Sequence, residues 1–405
     1  MANIAIYYFW IAAYVFVVIF ISGIFVRKSI RSYEEYTVAN RSLGFFFVFF
    51  TYFSTWISGA VIIGLASMAF DWGIYQYWFI AVTYIMGAIS GPLFLMRIRK
   101  LNVYTVGDFF ALRFPENEKL IRILVAISMI SRNVTIIGAQ FTTMAFLLSI
   151  SFNIDFQRAL YLIAIFIVLY TSLSGIWGVV GTDVMQGIIQ VAGISLLLFS
   201  VLESAGGLGD IIEFYQQIDG ISYLNIFEKM NKTTEIFVLL LAPGMFFIIE
   251  DQTTWQRILS SKSDKVAFWG YLAPLGAALV WLLVPCFIGV FSKAIFPYFT
   301  AFPLALLNFI ATRPQWMSIV ILFAILSACI STCDSYLLSS GMIFSRDIAH
   351  MVFNISEDRL IWATRFGIAA CGLLSFYAAT KVYNIFELYM LGAYIGGSSS
   401  QSFIL

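Results

Sequence analysis

The chain has 405 residues, of which 61% are hydrophobic and 11% charged, with a formal net charge of +1. An ordinary soluble domain is about 45–50% apolar and about 25% charged, so this composition indicates lipid as the main solvent of the fold. A single histidine excludes a multi-histidine metal site, four cysteines in apolar segments imply no extracellular disulfide framework, and the small net charge gives no indication of nucleic-acid binding.

Apolar runs predict about eleven membrane helices, since a bilayer-spanning helix needs about 20 residues. The predicted spans are 4–26, 43–69, 74–96, 123–150, 158–176, 182–203, 234–256, 266–292, 316–345, 359–380 and 383–405. The proline-containing segment 293–314 is predicted to be an external loop with a short helix. When the N-terminus is placed outside, most of the 23 Lys and Arg residues fall on the cytoplasmic side of the membrane. The positive-inside rule therefore predicts an outer N-terminus and, with eleven spans, an inner C-terminus.

A polar interruption divides the second predicted span. Ser54, Thr55, Ser58 and Gly59 stand in the middle of an otherwise apolar run. Non-helical backbone at membrane depth is tolerated where it faces protein or a water-filled cavity. Carbonyl groups freed there are hard oxygen ligands that suit a small cation. The alternative is a packing face of small residues that lets two helices approach closely.

Hydroxyl groups cluster in the ninth predicted span. Ser331, Thr332 and Ser335 lie on one side of the helix because of their spacing. Two of these hydroxyls together with the carbonyl of Ala328 would supply three oxygen ligands for a sodium ion. The alternative is that the hydroxyls bond back to carbonyls of their own helix.

The position of charged residues inside predicted spans requires an explanation, because a charge at the bilayer centre costs at least about 2.5–3.5 kcal/mol. The candidates are Arg132, Asp183, Glu250, Asp251 and Asp334. The adjacent carboxylates at 250 and 251 indicate a polar cavity. The alternative is an inner helix end at which Arg257 and Lys262 are their partners.

Five segments, in this order, resemble motifs of the solute/sodium symporter family, whose members transport sugars, proline, pantothenate or sialic acid with sodium. They are 40–44, 104–114, 175–186, 251–257 and 331–347. The resemblance implies an all-α integral membrane protein with the leucine-transporter-like architecture of two inverted five-helix repeats and one extra N-terminal helix. It implies a single transporter domain over 1–405, with a leading helix at 4–26, a first repeat at 43–203 and a second repeat at 234–405.

The resemblance also implies a sodium site between the first and eighth helices of the two repeats. Carried over by motif, its ligands are the carbonyls of Ser54, Ile57 and Ala328 and the hydroxyls of Ser331 and Thr332. Asp183 matches the acidic residue that the family places near this site. Its expected role is to attract sodium or to share in a second sodium site on the inner exit path.

The family motifs identify substrate ligands less well than sodium ligands, because the substrate pocket varies within the family. By position, they are Trp56, Ser58, Val61, Gln76 (or its neighbours Tyr75 and Phe79), Asp251 and Thr254. Val61 stands where sugar-transporting members have a polar side chain, which disfavours a sugar. Arg132 resembles the guanidinium with which sialic acid transporters of the family hold a carboxylate, since an arginine fork binds a carboxylate bidentately. The alternative for Arg132 is a structural pair with a carboxylate or a helix end.

The implied function is sodium-coupled secondary active symport of a small organic solute, with a carboxylate favoured, across the cell membrane by alternating access, and no enzyme activity. The expected partners are sodium, the solute and the lipid bilayer. Family members continue beyond the helix that ends here at Leu405, so the second repeat is expected to be truncated at its last helix. The alternatives are a transport-inactive sensor or truncated relative, and a proton-coupled symporter in which Asp183 or Asp251 carries the proton.

Overall fold

The computed structural model describes residues 4–101, 103–218, 220–228, 251–299, 301–381 and 391. Within these ranges the regular structure is helical, apart from one bridge between Leu43 and Ser261. The α-helices are α1 (Ile4–Ser29), α2 (Tyr33–Val38), α3 (Phe45–Trp56), α4 (Gly59–Trp72), α5 (Tyr77–Ile98), α6 (Val106–Arg113), α7 (Glu118–Phe152), α8 (Phe156–Ser204), α9 (Leu208–Gln217), α10 (Gln252–Ser260), α11 (Asp264–Trp281), α12 (Leu283–Ile295), α13 (Phe302–Ala311), α14 (Gln315–Ile343), α15 (Met351–Phe353) and α16 (Leu360–Lys381). Short 3₁₀ turns cover Ala39–Arg41, Ile74–Gln76, Pro115–Asn117, Ile221–Leu224 and Glu357–Arg359, and a π-helical turn covers Phe344–His350.

Seven of the described helical segments are long and apolar enough to cross a membrane, or eight if α3 and α4 form one broken span. A straight helix with the 49 residues of α8 would be about 74 Å long, more than twice the thickness of a bilayer core. The chain of α8 leaves helical geometry at Gly175, so α8 is two membrane-length helices that meet there. The predicted spans 234–256 and 383–405 lie mostly outside the described residues. The count of eleven spans, the outer N-terminus and the bounds of the two repeats therefore stay predictions.

The junction within α8 requires glycine. Gly175 has φ 58° and ψ −163°, a region that is almost restricted to glycine and costs other residues about 1–3 kcal/mol. A Cβ atom at this position would lie 2.8 Å from both the ring and the carbonyl oxygen of Tyr36.

We therefore expect Gly175→Ala to lower the thermal midpoint of the detergent-solubilised protein. Gly276→Ala is the matched control: it lies within α11, and a Cβ there would meet no atom within 4 Å. The control is expected to be neutral or stabilising, because alanine favours a helix over glycine. Equal midpoints for the two variants would contradict this account of the junction.

The polar interruption predicted in the second span is present as a break between α3 and α4. The two helices are bent by 48° relative to each other. Ile57 leaves helical geometry with φ −91° and ψ 68°, and Ser58 is extended. The Ser58 hydroxyl accepts a hydrogen bond from the backbone N–H of Val61 at 3.1 Å. Ser58 is therefore the N-cap of α4, a role for which serine is strongly preferred.

Side chains from other helices pair with backbone groups that the break exposes. The Tyr84 hydroxyl donates to the carbonyl of Trp56 at 2.8 Å, and the Gln140 side-chain oxygen accepts from the N–H of Ala60 at 3.1 Å. Broken backbone is stable at membrane depth only when such partners replace water.

α14 is the central helix of the described fold. It is buried along most of its length and packs against α8, α7, α16 and α3. A Cβ atom added to Gly59 would lie 2.1 Å from Sγ of Cys329 in α14. The missing side chain of Gly59 thus lets the start of α4 approach the middle of α14, which brings the helix break against the hydroxyl cluster.

Candidate functional site

The helix break and the middle of α14 are joined by two hydroxyl groups. Ser331 Oγ donates to the carbonyl oxygen of Ser54 at 2.9 Å, and Thr332 Oγ1 donates to that of Thr55 at 3.0 Å. Both hydroxyls also lie within hydrogen-bond distance of the Ala328 carbonyl, at 3.2 and 3.0 Å. All five residues are buried. Of the expected ligands, the Ala328 carbonyl contacts both hydroxyls and the Ser54 carbonyl contacts Ser331. The carbonyl that contacts Thr332 from the break belongs to Thr55, which was not among the expected ligands.

This oxygen cluster has the chemistry of a hard-cation site. Each hydroxyl oxygen has two lone pairs besides its proton, so it can turn a lone pair towards an ion. Carbonyl and hydroxyl oxygens suit hard cations, whereas soft metals prefer sulfur ligands. Across the described part of the chain, no group of three or more His, Cys, Asp or Glu side chains could hold a metal. Ile57, the remaining expected ligand, forms the break one turn after Ser54, and the role of its carbonyl stays a prediction.

Asp183 lies beside the cluster, towards the start of α3. The Thr51 hydroxyl donates a hydrogen bond to Asp183 Oδ2. Because Thr51 precedes Ser54 by three residues, Asp183 sits about one helical turn from the cluster. Its other oxygen, Oδ1, is buried without a hydrogen-bond partner in the described residues. Asp183 is therefore placed to exert its charge on the oxygen cluster.

Arg257 is the residue that the sequence interpretation placed wrongly. The count of basic residues assigned it to the inner side, and the alternative interpretation made it a partner of the carboxylates at 250 and 251. It is instead fully buried, in contact with α3 and α14. Its guanidinium donates to the hydroxyls of Thr51, Thr55 and Ser335 at 3.1, 2.9 and 2.5 Å. Nη2 of Arg257 is also 3.8 Å from Asp183 Oδ2. Glu250 lies outside the described residues.

Asp251 has a different cationic partner. Arg132 Nη2 lies 2.7 Å from Asp251 Oδ1, and both side chains are buried. The Arg132 guanidinium also lies 5.9 Å from the centre of the Tyr336 ring. Asp251 in turn caps α10, accepting from the N–H of Thr253 at 3.2 Å and from the hydroxyl of Thr254 at 3.3 Å. Two residues expected to bind substrate thus form an ion pair with each other.

Aromatic rings connect this ion pair to the helix break. The Tyr52 hydroxyl donates to the carbonyl of Thr254 at 2.8 Å. The ring of Trp56 lies 4.6 Å from that of Tyr52 and 5.7 Å from that of Tyr271. Trp56, Asp251 and Thr254, all expected substrate residues, therefore border one aromatic-walled region.

The other expected substrate residues lie on or beyond α4. Ser58 and Val61 are buried in the first turn of that helix, where Ser58 is the cap. Gln76 belongs to the 3₁₀ turn after α4, a helix of 14 residues and about 21 Å. No described hydrogen bond of the Gln76 side chain reaches the break, and its role stays a prediction.

Two further buried carboxylates, Asp334 and Asp347, are hydrogen-bonded to other side chains. Asp334 Oδ2 accepts a hydrogen bond from the Tyr170 hydroxyl at 2.5 Å. Asp347 Oδ1 accepts from Arg122 and from the Thr105 hydroxyl, both at 2.9 Å. These contacts give each buried carboxylate a hydrogen-bonded partner, Asp334 within α14 and Asp347 in the π-helical turn that follows it.

Gln190 is a site residue that the sequence analysis missed. It lies in α8, is fully buried, and its Nε2 donates to Ser331 Oγ at 3.1 Å. The available signal was a polar residue at membrane depth, but a neutral amide is less conspicuous there than a charge or a cluster of hydroxyls.

Comparisons with known proteins bear on the whole arrangement. A family profile described as the sodium:solute symporter family matches residues 36–400. The sodium/proline symporter of Escherichia coli (strain K12) is 24% identical over 394 residues, covering 92% of this chain and 76% of the relative. The sodium/pantothenate symporter of the same organism is 27% identical over 372 residues, covering 88% and 74%.

Among solved structures, a substrate-bound outward-open Na⁺-coupled sialic acid symporter matches with a TM-score of 0.80 at 19% identity. The match covers 96% of this chain and 86% of the other. It confirms the expected all-α, leucine-transporter-like fold. The matched proteins are transporters and not enzymes. Since the family profile spans most of the sequence, the chain belongs to the sodium:solute symporter family, and it is a multi-pass protein of the cell membrane with sodium as its coupling ion.

Proposed function

We propose that this protein carries a small carboxylate-bearing solute together with sodium by alternating access, and that sodium binds where the α3–α4 break meets α14. The observation that carries this proposal is the pair of contacts from Ser331 and Thr332 to the carbonyls of Ser54 and Thr55. An ion bound by oxygens of both elements stabilises the arrangement in which they touch. A ligand shifts a conformational equilibrium by its different affinity for the two states, so sodium would favour the state in which this cluster is assembled.

Asp183 and Arg257 supply the electrostatics of the proposed ion path. The carboxylate of Asp183 attracts a cation towards the cluster from the predicted inner side. Arg257, 3.8 Å away, compensates part of that charge, so the site retains sodium without binding it too tightly to release. Buried charges are stable only when they are paired in this way.

The Arg132–Asp251 pair indicates the charge of the solute. A solute carboxylate that binds Arg132 competes with Asp251 for the same guanidinium. A plain carboxylate would leave Asp251 as a buried charge without its cation, which is costly. A solute with its own cationic group would give Asp251 a new partner. A zwitterion, such as an α-amino acid, therefore fits this pair better than a monocarboxylate does.

Uptake into proteoliposomes tests this function. Amino acids, monocarboxylates and sugars would be compared with and without an inward sodium gradient. We expect uptake of a zwitterion that depends on sodium. Uptake that ignores sodium, uptake driven by a pH gradient alone, or stabilisation by a solute without any accumulation would each contradict the proposal.

Charge removal at the ion pair separates solute binding from a purely structural role. Arg132→Leu is expected to lower both thermal stability and uptake, the latter by about 10–100-fold, since a charge-assisted hydrogen bond contributes about 1.5–3 kcal/mol. The double variant Arg132→Leu/Asp251→Asn removes both charges. We expect it to recover stability but not uptake. Recovery of uptake along with stability would show that the pair only holds α7 against α10.

A further inference from the structure

The side chain of Gln190 lies against two of the proposed sodium ligands. Its Nε2 is 3.1 Å from Ser331 Oγ and 3.4 Å from the carbonyl oxygen of Ser54. The side chain is fully buried in α8. Its oxygen, Oε1, has no hydrogen-bond partner among the described residues. One end of this amide therefore bridges the site, and the other end has an unused acceptor.

The position of this amide is that of a further ligand. Two oxygens that each bind a sodium-sized cation at about 2.3–2.6 Å are about 3.2–3.7 Å apart when they occupy neighbouring positions of an octahedron. The distances from Nε2 to the two oxygens of Ser331 and Ser54 are close to this spacing. An oxygen atom in place of that nitrogen would thus stand at a neighbouring vertex of the same coordination shell.

A rotation about the Cγ–Cδ bond of Gln190 is enough to exchange the positions of Oε1 and Nε2. Terminal torsions of this kind are broad and roughly two-fold, so the rotation carries no large intrinsic strain. Without an ion, the NH₂ group donates to Ser331 Oγ and to the Ser54 carbonyl, which the Ser331 hydroxyl also joins by its own hydrogen bond. With an ion, the same group would point a partly positive nitrogen at a cation, so the oxygen end is favoured instead.

We propose that Gln190 is a sodium ligand of this chain, additional to those carried over from the family motifs, and that its amide rotates when the ion binds. The NH₂ end holds Ser54 of α3 and Ser331 of α14 together in the absence of sodium, and the Oε1 end coordinates the ion. This inference rests on the proposed function, because it assigns Gln190 to the same site. It gives α8 a direct ligand at the site, in addition to the charge of Asp183 on the same helix.

A sodium titration of thermal stability in the purified full chain tests the proposal, with potassium replacing sodium at constant ionic strength. Gln190→Leu removes both ends of the amide. We expect it to raise the sodium concentration at half-maximal stabilisation by about 10-fold or more, the effect typical of losing a supporting group at a metal site. Gln190→Glu keeps oxygen and removes the NH₂ donor. We expect this variant to bind sodium more tightly at higher pH, because a carboxyl group must lose its proton to coordinate a metal.

Two comparisons make the outcome decisive. Gln186→Leu changes the same residue type one turn away in α8, and we expect its half-maximal sodium concentration to stay within about twofold of wild type. Loss of the sodium response in Ser331→Ala/Thr332→Val, with wild-type titrations in both Gln190 variants, would overturn only the role of Gln190. A normal response in that double variant would overturn the proposed site itself. Should Gln190→Leu fail to fold, a response in Gln190→Glu that is independent of pH would also overturn the proposal.

Discussion

Uptake by the double variant Ser331→Ala/Thr332→Val is expected to require far more sodium than uptake by the wild type. The variant removes both hydroxyl ligands of the proposed site and both contacts from α14 to the carbonyls of the helix break. We expect the sodium concentration at half-maximal uptake to rise by about 100-fold or more, since even indirect supports of a metal site contribute about 10–100-fold each. The measurement is initial uptake into proteoliposomes over a range of external sodium concentrations.

A second pair of adjacent hydroxyls provides the matched control. Thr142 and Thr143 are also buried, and their hydroxyls donate to carbonyls of their own helix α7 at 3.0 and 2.8 Å. Thr142→Val/Thr143→Val therefore removes the same chemical groups without touching the junction of α3 and α14. We expect near-normal sodium dependence in this variant. A similar loss in both double variants would mean that the effect comes from disturbed packing and not from ion binding.

Replacement of Arg257 by leucine is expected to destabilise the protein by about 3–5 kcal/mol, because it leaves a buried carboxylate without its compensating charge. Arg257 also donates to the hydroxyls of Thr51, Thr55 and Ser335, which lose these hydrogen bonds at the same time. We expect a marked fall in the thermal midpoint of the detergent-solubilised protein and in the yield of folded protein.

Removal of the opposing charge tests the cause of this effect. The double variant Asp183→Asn/Arg257→Leu removes both charges, which are 3.8 Å apart in the wild type. We expect this double variant to be more stable than Arg257→Leu alone, while sodium affinity stays low because the attracting carboxylate is gone. Equal instability of the two variants would show that the hydroxyl contacts, and not the charge of Asp183, account for the requirement for Arg257.

The features that sequence predicts well are those encoded within a few neighbouring residues. The helix break needs a residue that caps a new helix and a residue without a side chain, and Ser58–Gly59 supplies both. The hydroxyl cluster is likewise visible because Ser331 and Thr332 are adjacent on one helix. The family resemblance adds the relation between these two segments, which are almost 280 residues apart.

Pairing between distant charges is not visible in one sequence. Arg132 and Asp251 are both recognisable as charges at membrane depth, but their contact joins residues 119 positions apart. Arg257 stands near a predicted helix end, and counting basic residues by loop assigns it to the inner surface. Its actual direction, into the protein towards Asp183, depends on how α10 packs against α3 and α14.

The most direct test of the central claim is equilibrium binding of radioactive sodium to the purified protein, compared with Ser331→Ala/Thr332→Val at matched thermal stability. The account predicts saturable binding by the wild type, displaced by unlabelled sodium, and no measurable binding at the same concentrations by the double variant. Unchanged binding after loss of both hydroxyls would place the ion elsewhere and contradict the account.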